Sequence, residues 1–157
     1  MQARAVAILV SFVLAVLTAG CGSGGSAVAS PASGGGAPPT IRDAWVRAAQ
    51  AGGTSAAYLS LTNGGAAEEQ LVGVRAADLT DTASLHETSS DASGMTGMSP
   101  VDSITIPAGG TVALAPGGYH IMLMDLKKEL KAGDRVTLAL TFKQAGEISI
   151  SAEVRAN

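Results

Sequence analysis

Pro116-Gly117-Gly118-Tyr119-His120-Ile121-Met122-Leu123-Met124 is the stretch whose reading decides the fold. After the glycines, His120, Met122 and Met124 alternate strictly with Ile121 and Leu123. Side chains two apart along an extended chain share a face, so one side of this segment is apolar and the other carries an imidazole and two thioethers. Pro followed by Gly suits the centre of a type II turn, because Pro presets the first central φ and Gly accepts the positive second one. The stretch therefore predicts a turn feeding a strand with one buried face.

The same texture continues on both sides. Upstream, short apolar or alternating runs occupy Ile41–Arg47, Ala57–Thr62, Gln70–Ala76, Ala83–Thr88, Val101–Ile106 and Thr111–Ala115. Downstream, Tyr119–Leu126 is followed by Arg135–Lys143 and Glu147–Val154. Gly, Pro and Asn punctuate the runs at Asn63-Gly64-Gly65, Pro107-Ala108-Gly109-Gly110 and Ala145-Gly146, the last reading as a hairpin tip. Asp125–Lys131 has room for one helical turn, stopped at Gly133. Eight or nine strands within residues 41–157 predict an all-β domain, an antiparallel β-sandwich or barrel. Its core is expected from Ile, Val, Leu and Ala, with Trp45, Tyr58 and Phe142 as the larger pieces.

The N-terminus is of another kind. Arg4 precedes an uncharged apolar run, Ala5–Ala19, too short for a membrane span and suited to an export signal over residues 1–20. Leu17-Thr18-Ala19-Gly20-Cys21 resembles a bacterial lipobox, with Thr18 where Leu is more usual. Cys21 is the only cysteine, so no internal disulfide is possible. Ordinary cleavage near Ala19 is the competing reading. Acylation of Cys21 is favoured because a free exposed thiol is a liability outside the cell. Residues 22–40, almost wholly Gly, Ser, Ala and Pro, lack the apolar side chains that would repay ordering and are expected to be a flexible tether. Without residues 1–20 the chain holds nine Lys+Arg against thirteen Asp+Glu, a formal charge of −4, which argues against nucleic acid as a partner.

Chemistry concentrates in one window. The only two histidines, His86 and His120, lie within 39 residues that also hold every methionine except the initiator: Met95, Met98, Met122 and Met124. Neutral imidazole with thioether is a soft donor set that selects Cu(I). His120 and Met122 would stand about 6.6 Å apart along a strand, close enough to converge on one ion, with His86 and Met98 able to complete the set. Met124, about 13 Å from His120 along the strand, is expected to be core or a wall beside the site. Met95 lies in Ser93-Gly94-Met95-Thr96-Gly97-Met98, expected to be a loop from which it could stand in for Met98. Adjacent strand residues point oppositely, so Glu87 is expected to face solvent rather than hold His86. Ordinary core methionines and hydrogen-bonded histidines are the competing reading.

The spacing resembles a known family. A His, a Met twelve positions later, a His twenty-two after that and a Met two further on are His86, Met98, His120 and Met122. The surrounding text is similar too: Asp43-Ala44-Trp45-Val46-Arg47, Leu85-His86-Glu87, Ile106-Pro107-Ala108-Gly109-Gly110 and Leu140-Thr141-Phe142. Over about residues 41–155 the chain resembles the small exported copper chaperones of the PCuAC type. The resemblance implies a cupredoxin-like antiparallel Greek-key β-sandwich and a solvent-accessible site of His86, Met98, His120 and Met122 for one Cu(I) per chain. It also implies delivery towards the CuA centre of cytochrome oxidase, directly or through a thiol-bearing assembly factor. Relatives often carry an extra Met just after the first His, where Glu87 and Thr88 stand here, and some have a His- and Met-rich tail that Val154-Arg155-Ala156-Asn157 does not provide.

The residue inventory excludes several activities. A blue-copper electron carrier needs a Cys thiolate with two His, and Cys21 lies in the tether. Two histidines are too few for a Cu(II) oxidase or dismutase, and no Cys-x-x-Cys exists for disulfide chemistry. The expectation is a non-enzymatic lipoprotein, anchored on the outer face of the cytoplasmic membrane or in the periplasm. A copper buffer or resistance lipoprotein and a non-metal adhesive sandwich are the alternatives.

Overall fold

A computed structural model describes residues 37–90 and 94–156. The expected export signal, Cys21 and most of the tether lie outside them. The described chain forms ten strands: β1 (Thr40–Arg47), β2 (Ser55–Thr62), β3 (Glu69–Arg75), β4 (Thr82–Ser90), β5 (Thr96–Pro100), β6 (Ile104–Ile106), β7 (Thr111–Leu114), β8 (Tyr119–Met124), β9 (Arg135–Phe142) and β10 (Gly146–Arg155). They make one curled, half-barrel sheet in the order β5-β4-β8-β2-β1-β10-β9-β3-β6, with β7 also paired to β2. The all-β expectation holds. Asp125–Lys131 contains no helical turn; Leu130 instead bridges to Ala49.

All neighbouring pairs are antiparallel except β1 with β10, which run parallel with Val46 beside Val154. Hydropathy along a strand reports which face is buried, not which distant strand lies beside it, so this pairing has no local signature.

The inner face holds the core. Ala57, Leu59 and Leu61 of β2, Leu85 of β4, Ile121 and Leu123 of β8, and Leu138 and Leu140 of β9 are all buried. Each such Leu or Ile contributes roughly 1.5–3 kcal/mol through apolar burial. Glu69 is buried as well, but its carboxylate accepts backbone N–H bonds from Gln70, Gln144 and Ala145 at 2.8–3.0 Å. That satisfaction makes it a structural carboxylate that pins the β9–β10 hairpin.

Two local devices set the phase of the site face. The first is the expected turn before β8. Gly118 N–H donates to Ala115 O at 3.0 Å, and Gly117 has φ +86°, as the third residue of a type II turn requires. The second is a bulge in β1. Arg42 pairs with Ser60 and Trp45 with Tyr58, so β1 spends one extra residue between them, and Asp43 there has φ +53°. Ile41 and Trp45 have the same parity, and without the bulge both would face inward. The slip keeps Ile41 opposite the buried Leu61 and turns Trp45 outward beside Tyr58. Trp45, expected in the core from its size, is therefore part of the outer face instead; Tyr58 and Phe142 are buried as expected.

β5 is a further correction. Thr96-Gly97-Met98 reads as loop in the sequence, yet Thr96–Pro100 pairs with β4 along its whole length. All five of its side chains are exposed, so no burial pattern marks it, and Pro100 sits at its end as an edge strand permits.

Candidate metal centre

The outer face of β1, β2, β8, β4 and β5 carries a row of rings. His86 and His120 are direct cross-strand partners, with ring centroids 5.8 Å apart. Tyr58 follows at 6.5 Å from His120, and Trp45 at 4.6 Å from Tyr58. Pro100 pairs with His86 at the other end. In the next row Met122 stands between Ala56 of β2 and Ser84 of β4. In the row on the other side, Met98 is the partner of Thr88. Residues opposite in an antiparallel pair share a face, so all four expected ligands lie on one face of three adjacent strands.

Their exposure is graded. His120 is buried, His86 and Met122 are half-buried, and Met98 is 61% exposed. His120, Met122 and Met98 line a common cavity of about 520 Å³ with Arg47, Tyr58 and Thr88 among its other walls. His86 is not one of its lining residues. Met124 is half-buried and also absent from the lining; its carbonyl accepts a hydrogen bond from Thr80 Oγ1. Met95 is 71% exposed, just before β5. Glu87 is half-buried and falls on the opposite face from His86 by alternation.

Hydrogen bonds orient both imidazoles. His120 Nδ1 lies 3.0 Å from Gly118 O. A carbonyl only accepts, so Nδ1 carries the proton of the neutral ring and Nε2 keeps its lone pair. Gly118 O also accepts from Thr88 N–H at 3.1 Å, tying the turn to β4. His86 Nε2 is 3.0 Å from Ser84 Oγ, two residues back on the same face. Its Nδ1 is buried with no hydrogen-bond partner. With Nε2–H donating to the serine hydroxyl, Nδ1 keeps a buried lone pair that can ligate a metal ion. Burial and then the neighbouring His120 hold the His86 pKa below the ordinary histidine value, which favours the neutral, ligating form of the ring.

An imidazole centroid stands roughly 3.2 Å from an ion bound at one of its nitrogens, given bonds of about 2.1 Å. Centroids 5.8 Å apart are thus within reach of one shared ion. Among the described residues no three His, Cys, Asp or Glu side chains come together. A site of useful denticity here must draw on thioether, which is the softness Cu(I) prefers. Sequence reasoning missed Ser84 and the Gly118 carbonyl as orienting groups. Alternation from His86 would have placed Ser84 on its face; the carbonyl role depends on the turn and has no side-chain signal.

An all-β sheet with imidazole and thioether gathered on one outer face defines a class, and solved structures of that class are similar to this chain. The "Copper-bound PCuAC domain from PmoF2" is 28% identical with a TM-score of 0.65, covering 78% of this chain and 96% of that one. CuI-DR1885 from Deinococcus radiodurans is 35% identical with a TM-score of 0.63, covering 80% and 84%. The chain belongs to the family described as "Putative lipoprotein LpqE-like", whose model matches residues 39–154. A relative in Leifsonia xyli, "Putative lipoprotein Lxx21020", is 36% identical over 115 residues, 73% of this chain and 68% of the relative.

Proposed function

We propose that this protein is an exported Cu(I) carrier that binds one Cu(I) per chain through His86, Met98, His120 and Met122. The observation that carries the reading is the direct cross-strand pairing of the only two histidines, each oriented by its own hydrogen bond, with Met122 and Met98 on the same face. All four donors are neutral, so none offsets the charge of the bound ion. Such a site holds Cu(I) by softness and yields it to a partner offering thiolates. Met98, the most exposed donor, is the one an incoming ligand reaches first. The residues carry ions rather than transform substrates, and the similarity to a copper-bound PCuAC domain supports the same reading.

Copper delivery towards the CuA centre of cytochrome oxidase, membrane anchoring through acylated Cys21 and a location on the outer face of the cytoplasmic membrane or in the periplasm extend this proposal. Titration of Cu(I) against a competing chelator tests its core. Wild-type protein should take up one equivalent, and a His120→Ala, Met122→Ala double variant that still folds should take up none. Retention of a full equivalent by the double variant would sink the site assignment. Low oxidase activity in a deletion strain, restored by added copper, supports delivery; normal activity under copper limitation points to buffering.

A further inference from the structure

Arg47 is out of place for a copper site. It is the only charged residue among those lining the cavity shared by His120, Met122 and Met98. On the outer face its position follows Trp45 by two, and continuing the β1–β2 register sets it opposite Ala56, whose other neighbour is Met122. The small Ala56 leaves the floor between the guanidinium and the thioether clear. A cation here repels Cu(I) held by uncharged donors, so Arg47 does not serve metal retention. Nor is it neutralised. Among the described residues no carboxylate lies within ion-pair distance of it, and its Nε is buried without a hydrogen-bond partner. Its parallel neighbour on β10 is a second cation, Arg155. Arg155 has outlets of its own: it lies over the Trp45 ring at 5.8 Å and 3.6 Å from Glu153. A chain of formal charge −3 thus keeps one uncompensated guanidinium at the rim of its soft-donor face.

We propose that Arg47 is the docking residue for the copper-exchange partner, receiving a carboxylate that the partner protein presents beside its own copper ligands. The inference rests on the Cu(I) reading above. The planar guanidinium fork matches a carboxylate in two parallel hydrogen bonds, which fixes orientation as well as attraction. Docking also cancels the repulsion between Arg47 and the ion at the moment of transfer. In the exchange copper remains Cu(I): its bonds to imidazole nitrogen and thioether sulfur are replaced by bonds to the acceptor's donors, and no electron changes hands.

Two chelators that differ in charge serve as probes: bicinchoninate, a biquinoline bearing two carboxylates, and its uncharged parent, biquinoline. Both accept Cu(I) through ring nitrogens, without proton release. The full chain is first loaded with Cu(I) and its stoichiometry measured, then transfer is followed by stopped flow. Arg47→Gln should slow transfer to bicinchoninate about tenfold and leave transfer to biquinoline within about twofold. Sodium chloride at about 0.5 M should slow the wild type to the level of the variant, because screening removes the attraction. Arg47→Lys, which keeps the charge and loses the fork, should fall between them and retain the salt dependence. Equal slowing with both chelators, or with neither, overturns the docking role while leaving the copper site intact. Saturable binding of acetate to the apo-protein below about 1 mM would make Arg47 a site for a free anion and overturn partner docking. A wild-type chain that takes up no Cu(I) overturns the copper reading and this inference together.

Discussion

The strands at the two ends of the sheet order, β5 and β6, meet opposite environments. β6 turns Ile104 and Ile106 into the core, where they are 1% and 0% exposed. β5 exposes all five of its side chains, Met98 among them. Both are edges, and an edge presents backbone groups with no neighbour on one side. The β6 edge is anchored by apolar burial, whereas the β5 edge pairs its backbone to β4 with no buried side chain. On the proposed Cu(I) reading, stability and function fall to different ends of one sheet: what β5 lacks in burial leaves Met98 exposed where a packed strand would bury it.

That contrast can be broken by substitution at either end. The largest effect is expected from Ile106→Ala, which should lower unfolding free energy by about 2–5 kcal/mol through lost burial and a residual cavity, read from urea midpoints. The folded fraction should still bind one Cu(I). Met98→Ala should do the reverse. Its stability should stay within about 0.5 kcal/mol of wild type. Its Cu(I) affinity in chelator competition should fall about tenfold or more, equivalent to about 1.4 kcal/mol. If Met98→Ala destabilises as much as Ile106→Ala, β5 is a structural strand and the division fails.

Gly117→Ala probes the turn on the site side. No atom lies within 4 Å of the added Cβ, so the cost is backbone strain alone, from φ +86°. A loss of about 1 kcal/mol in stability with copper stoichiometry unchanged is expected. The smallest effect is expected from pH. Burial and His120 depress the folded-state pKa of His86, so the unfolded chain takes up that proton first. Apo-protein stability should therefore be level above the ordinary histidine pKa of about 6.5 and decline as pH falls below it, until His86 is protonated in the folded state too. His86→Ala should flatten this part of the profile, and Cu(I) affinity of the wild type should weaken in the same acid direction. Apo-protein that gains stability on acidification would contradict the buried, neutral ring.

Much of the structure is legible in the sequence. The alternation through His120–Met124 predicted which side chains of β8 face inward, because a strand's two-residue period leaves no other choice once Ile121 and Leu123 are buried. The turn at Pro116-Gly117 was readable because only Gly tolerates the positive φ at no cost. β5 was not readable, since a strand that buries none of its side chains writes no hydropathy pattern. Trp45 was misplaced because one residue of bulge at Asp43 reverses the parity on which alternation depends.

By itself, then, the sequence determined an all-β chain and a soft donor set, since side-chain identity and period are local properties. Only the tertiary structure decided that His86 faces His120 across β4 and β8, that Ser84 and Gly118 O orient their rings, and that Arg47 lines one cavity with Ala56 and Met122. These depend on strand order and register, which are set by long-range pairing and the burial of a shared core and leave no trace in neighbouring residues.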